Sequence, residues 1–213
     1  MPTSSADLAA LAAAKQTLRR AVRRARSLQD VEQRAAADRE RTARVLAFLA
    51  GRVGPGLTVA GYLSRPDEPG TLELVSALQA TGVRVLLPVL GPAEAPLRDP
   101  DWARYAGPDR LRVAAHRITE PDTPALGGRA LAEAEVIICP ALGVTRRGDR
   151  LGMGAGWYDR ALQHAAPEAV TVALVDDNEV FEVLPIEPWD RSIDVVATPT
   201  ELFATIDPKE LAE

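Results

Sequence analysis

The feature that most limits the fold is a set of short apolar runs separated by longer segments of helical period. Thr58–Leu63, Arg84–Val89, Val136–Pro140, Val170–Val175 and Asp194–Thr198 each read as a strand, and Leu111–Ala114 as a further one. Between and before them, Leu8, Leu11, Leu18 and Val22 recur near a helical period over residues 5–28, with Ser5 or Asp7 as the N-cap. Residues 30–50 form a second helix, ended by Gly51 and Gly54; Thr71–Thr81 a third, stopped by Gly82; Tyr158–His164 a fourth. Apolar runs without polar alternation belong to strands covered on both sides. The predicted fold is therefore α/β: a three-layer sandwich with a mostly parallel central sheet and helices on both faces. It forms a single domain over 1–213, with the N-terminal helical segment of about 5–50 packed on it. Residues 91–110, rich in proline and charge, are predicted to be irregular with short strands, and residues 119–130 to be loop.

Composition narrows the function. A formal net charge of -5 argues against general nucleic-acid binding, although Lys15, Arg19, Arg20, Arg23, Arg24 and Arg26 crowd one early segment. The only cysteine, Cys139, sits in an apolar strand, which predicts a buried structural thiol and a reducing, cytoplasmic setting. No apolar stretch is long enough to span a membrane, and no basic leader precedes an apolar segment, so neither an anchor nor a secretory signal is expected.

One segment carries most of the chemical information. After the Val136 strand comes Arg150-Leu151-Gly152-Met153-Gly154-Ala155-Gly156-Trp157-Tyr158-Asp159-Arg160. Three alternate glycines lie between a basic residue and an aromatic pair, and a carboxylate follows. A glycine loop between strand and helix presents backbone N–H groups at the positive end of the helix, where phosphate binds. Arg150 can pair with phosphate oxygens, and Asp159 can hold the magnesium that accompanies a nucleoside triphosphate. The spacing alone does not separate phosphate binding from an ordinary tight turn. No Gly-Lys-Ser/Thr follows, and the match to a dinucleotide fingerprint is poor, even with Asp176 and Asp177 after the next strand. In a parallel sheet, ligands bind beyond the carboxyl ends of the strands, which gathers Glu68, Arg150 and Asp159 at one rim.

Taken together, these residues resemble the 5-formyltetrahydrofolate cyclo-ligase (5,10-methenyltetrahydrofolate synthetase) family from about Lys15 to about Thr198. Lys15-Gln16-Thr17-Leu18-Arg19 is similar to its Lys-x-x-x-Arg pair, and Tyr62-Leu63 with Asp67-Glu68 to its substrate-side loop. Leu86-Leu87-Pro88, Glu120-Pro121, the Arg150–Arg160 segment, Leu184-Pro185, Trp189-Asp190 and Asp194 follow in the family's order. The chain departs from the family pattern at Trp157, where tyrosine is usual, at Trp189, where histidine is common, at Ala155, where some members have lysine, and at Pro69-Gly70.

The resemblance implies ATP-dependent closure of 5-formyltetrahydrofolate to 5,10-methenyltetrahydrofolate, with ADP and phosphate released through a phosphorylated formyl (iminium phosphate) intermediate. It implies that Lys15, Arg19 and Arg150 through Tyr158 (Arg150, Leu151, Gly152, Met153, Gly154, Ala155, Gly156, Trp157, Tyr158) bind ATP, with Arg150 catalytic. It also implies that Leu63, Glu68, Met153, Gly154, Ala155, Gly156 and Trp157 bind the folate. Asp159 and Asp190 are the implied magnesium ligands, with Asp194 second in rank to Asp190. The partners are then the two small-molecule substrates, with no nucleic acid and no membrane, and the chain is expected to be a monomer. By residue type alone, Lys15 and Arg19 also suit a solvated basic helix face, Asp159 a helix first-turn acid, Glu68 a loop charge and Trp157 core packing. The rival readings are a sugar-phosphate isomerase or CoA-transferase-like enzyme on a similar scaffold, and a non-catalytic folate- or nucleotide-binding protein.

Overall fold

The computed structural model describes residues 5–51, 53–92, 94–187 and 190–206. Four α-helices are α1 (Ser5–Ser27), α2 (Val31–Leu49), α3 (Leu72–Ala80) and α4 (Trp157–Ala161). The strands are β1 (Thr58–Ala60), β2 (Arg84–Val89), β3 (Asp101–Arg104), β4 (Leu111–Val113), β5 (Thr119–Pro121), β6 (Val136–Pro140), β7 (Gly143–Thr145), β8 (Arg150–Leu151), β9 (Val170–Leu174), β10 (Val180–Phe181), β11 (Val195–Ala197) and β12 (Leu202–Ala204).

The main sheet has the order β12-β11-β9-β6-β1-β2-β3. Its five central strands are parallel, as expected, and an antiparallel strand closes each edge. Successive residues of β6 explain the unbroken apolar runs. Val136 and Ile138 join the core under α2 and α3, whereas Ile137 and Cys139 join the core on the opposite face. That opposite face is covered by α4, a 3-10 turn at Leu162–His164 and another at Gly128–Glu133. The three layers are as predicted, but the second helical layer is thin.

Some expectations shift. Leu111–Ala114 does not enter the main sheet: among the described residues β4 pairs with β5 alone, in a segment read as loop. Arg112 and Val113 are exposed there, so the run lacks the two-sided burial of a central strand. Residues 91–110 contain the edge strand β3, held by the fully buried Trp102 and Ala103. Edge strand β12 was not anticipated; Leu202 and Phe203 are only half-buried, so their apolar signal is short. The predicted helix at Tyr158–His164 is a single α-helical turn followed by the 3-10 turn. Asp30 caps α2 by accepting from the backbone N–H groups of Glu32 and Gln33.

Two features place the site. The chain leaves β1 toward β2 through α3 on one face, whereas the connections into and out of β6 run over the other. β1 and β6 are neighbours, so a crevice opens between their carboxyl ends. A second small sheet, β10-β7-β8, stands beside it. α1 docks there by packing Leu18 and Val22 on Leu142, Leu151 and Leu184.

Candidate active site

A cavity of roughly 700 Å³ occupies the crevice. Leu63 and Glu68 reach it from the segment after β1, and Pro140 from the end of β6. The Gly152–Gly156 loop and the start of α4 form another wall, and Arg19 of α1 closes it. Met153, Ala155, Trp157, Tyr158, Asp159 and Asp190 also line this space. Thus most of the residues singled out in the sequence meet around one cavity.

The glycines have a specific steric role: they leave room for guanidinium groups. A Cβ on Gly152 would lie 2.8 Å from Arg150 Nη1, and one on Gly154, at φ +102°, would lie 3.2 Å from Arg19 Cζ. Arg19 Nε donates to Gly152 O at 2.9 Å, and Arg23 Nη2 donates to Met153 O at 3.1 Å. α1 is therefore fastened to the loop by its own arginines. Burial together with the neighbouring Arg23 charge lowers the Arg19 pKa from its usual value.

Arg150 is buried and does not stand alone. Its Nη2 donates to Asp159 Oδ1 at 2.6 Å and its Nη1 to Pro140 O at 3.2 Å. Its buried Nε has no hydrogen-bond partner among the described residues. Lys15 Nζ is held by two carboxylates, Glu187 Oε2 at 2.5 Å and Asp190 Oδ2 at 2.7 Å. Glu187, absent from the sequence-derived set, also lines the cavity; its place three residues before Asp190 was the only available signal.

Lys15, Leu151 and Asp194 do not line the cavity. Leu151 is buried against Val22, Leu142 and Leu184, so its side chain serves the core and not the cavity. Asp194 accepts from both the backbone N–H and the hydroxyl of Thr171, each at 2.7 Å, and so ties β9 to the start of β11. Trp189, set beside Asp190 by the resemblance, lies outside the described residues. Tyr62 joins the wall from the substrate-side loop, and Arg65, Leu90, Leu97, Ile118 and Thr119 join it without having been named by any motif.

The apolar side has an aromatic cluster. Trp157 lies 5.3 Å from Trp102 and 4.9 Å from Tyr158, centroid to centroid, and Tyr158 donates to Gly61 O. Burial raises the pKa of Tyr62 and of Tyr158 well above the usual phenol value, so both stay neutral. Burial also raises the pKa of Glu68, against the opposing effect of the Arg65 N–H that its Oε2 accepts at 2.9 Å. Cys139 is fully buried and its thiol is pushed up to about 12, as expected of a structural thiol.

Among the described residues there is no cluster of three or more His, Cys, Asp or Glu side chains suited to a metal. Magnesium asks for less when phosphates are present: one or two carboxylates, with phosphate and water oxygens completing the shell. Asp159 and Asp190 suit that demand in donor chemistry. Both are hard oxygen donors on the cavity wall, and each already accepts a cationic group.

The class these features define is a doubly wound α/β protein whose switch-point cavity combines arginines, carboxylates and aromatic rings. Over residues 11–199 the chain matches the 5-formyltetrahydrofolate cyclo-ligase family, and it belongs to that family of enzymes. It is 42% identical over 153 residues to a 5-formyltetrahydrofolate cyclo-ligase of Mycolicibacterium smegmatis, a match covering 71% of this chain and 78% of the relative. To the Escherichia coli K12 protein of the same name it is 34% identical, over 68% of this chain and 80% of that one. In fold it is similar to the 5,10-methenyltetrahydrofolate synthetase of Aquifex aeolicus, with a TM-score of 0.75 and 24% identity, over 91% of this chain and 93% of that one.

Proposed function

We propose that this enzyme uses ATP to cyclise 5-formyltetrahydrofolate to 5,10-methenyltetrahydrofolate, and that the switch-point cavity is where it does so. The observation that carries the reading is the convergence of Arg19, Glu68, the glycine loop with Arg150, and Asp159 and Asp190 on one space.

An amide oxygen is a poor leaving group. Transfer of the γ-phosphoryl group to the formyl oxygen breaks the bond to ADP and leaves a carbon–nitrogen iminium at N5. N10 then attacks that carbon and loses its proton, and the carbon–oxygen bond breaks to release phosphate. The chain's task is to position two substrates and neutralise charge as it develops. In this reading Lys15 and Arg19, one helical turn apart, bind the triphosphate. Gly152, Gly154 and Gly156 let it approach the backbone, and Arg150 stabilises charge on the transferring phosphoryl. Leu63, Met153 and Trp157 hold the flat ring, and Glu68 accepts its hydrogen bonds. Asp159 and Asp190 would hold magnesium, which when bound neutralises phosphate oxygens. In this reading the chain acts as a monomer, and the buried Cys139 accords with a reducing cytoplasm.

Spectroscopic detection of methenyltetrahydrofolate, formed from 5-formyltetrahydrofolate only when ATP is present, tests the reaction; formation without ATP refutes it. Asp159→Asn should weaken binding of magnesium–ATP more than that of the folate when each is titrated calorimetrically. The reverse order would remove Asp159 from its role.

A further inference from the structure

Glu68 sits in the segment between β1 and α3, and side chains of α2 grip that segment. Asp38 Oδ1 accepts the Gly70 N–H at 2.8 Å. Arg34 Nη1 donates to Pro66 O, and its Nη2 donates to Arg26 O at 2.7 Å. Asp38 is itself held in place: Arg41 Nη2 donates to the same Oδ1 at 2.6 Å. Arg41 is buried, and its other arm donates to Asp176 Oδ1 and Val175 O at the end of β9. Gln29 Nε2 donates to the second oxygen of Asp176 at 2.5 Å. On the far side, Thr71 Oγ1 donates to Tyr62 O at 2.5 Å and accepts the Ser64 N–H at 3.0 Å. The chain from Tyr62 to Thr71 is thus closed into a fixed turn, with Glu68 buried inside it and facing the cavity.

This arrangement also explains why residue 70 is glycine. A Cβ there would lie 2.5 Å from Asp38 Oδ2 and 2.9 Å from Asp38 Cγ. The Pro69-Gly70 pair that departs from the family pattern is matched to the carboxylate on α2.

We infer that Asp38 is a positioning residue for Glu68, holding the substrate-side turn through the Gly70 N–H while Arg41 anchors it to β9. The inference rests on the proposed folate role of Glu68. Asp38 does not line the cavity, so its removal acts on the folate through the turn.

The test is steady-state kinetics on Asp38→Ala, Gly70→Ala and Glu68→Ala, singly and with Asp38→Ala placed in the Glu68→Ala background. Asp38→Ala and Gly70→Ala should each raise the KM for 5-formyltetrahydrofolate roughly five- to tenfold, the scale of one lost hydrogen bond, and leave the KM for ATP unchanged. In the Glu68→Ala background the Asp38→Ala effect should vanish. Asp38→Asn, which keeps an acceptor for Gly70 and spares the fold, should recover most of the loss. If Glu68→Ala raises the folate KM and Asp38→Ala does not, or if the two effects simply add, the inference falls and the site assignment stands. If Glu68→Ala leaves the folate KM unchanged, the substrate role of Glu68 falls and the inference falls with it.

Discussion

Gly154→Ala separates the backbone cost of the glycine loop from its effect on Arg19. Gly154 has φ +102°, where an L side chain is strained by about 1–2 kcal/mol. Gly107 has nearly the same φ, +106°, and nothing within 4 Å of its added Cβ. For a chain of this length each kilocalorie lowers Tm by about 2–4 °C, so both alanine variants should melt roughly 2–8 °C below the parent. They should differ in ligand binding. The Gly154 Cβ would sit 3.2 Å from Arg19 Cζ and 3.3 Å from its Nη1, so the guanidinium must yield by a few tenths of an ångström. That shift weakens the 2.9 Å Arg19 bond to Gly152 O and moves the charge assigned to the triphosphate. A loss of about 1.4 kcal/mol corresponds to a tenfold rise in KM for ATP. Thermal melts of the ligand-free variants and ATP kinetics on both provide the comparison. Equal ATP constants in Gly154→Ala and Gly107→Ala would refute the idea that the glycine exists to seat Arg19.

Two further perturbations test other parts of the account. The Glu68 pKa lies above its usual 4.5, so the folded state holds its proton more tightly than the unfolded chain, and stability should fall as pH rises from 4.5 through the raised value. Folate kcat/KM should rise over the same window as the carboxylate forms; Glu68→Gln should lack both trends, and a parent profile with its limb at or below the usual value would contradict them. Arg26 and Glu179 form a bidentate buried pair, Nε to Oε1 and Nη2 to Oε2 each at 2.7 Å, which fastens α1 beside the crevice. Arg26→Met leaves the buried Glu179 without its counter-charge, keeping only the 2.9 Å bond from the Asp176 N–H, and should cost about 3–5 kcal/mol, or roughly 6–20 °C in melting temperature. Arg26→Met with Glu179→Leu should recover a large part of that loss in denaturant melts, and no recovery would show that packing, not charge, is what the pair supplies.

Local pattern made the central sheet legible. The run at Val136–Pro140 is apolar throughout and that at Val170–Leu174 is apolar at all but Thr171, because strands with both faces covered need no polar alternation. The glycine loop was legible for a similar reason: close approach of other groups to the backbone requires residues without a Cβ. The edges were harder to read. β3 and β12 have one open side, so burial writes little into their sequence.

What the amino-acid order determined by itself was the kind of groups available: two basic positions one turn apart on α1, an arginine before a glycine loop, and acids at 68, 159 and 190. Only the tertiary structure decided how they are paired. Arg150 meets Asp159, while Lys15 meets Glu187 and Asp190 from 172 and 175 positions away. It likewise turned Leu151 into the core, set Asp194 on Thr171, and placed Asp38 under the turn that carries Glu68. Side chains separated by that much sequence meet only after the sheet has stacked its strands and α1 has docked on the small sheet beside them. No local rule of period, cap or turn encodes that distance.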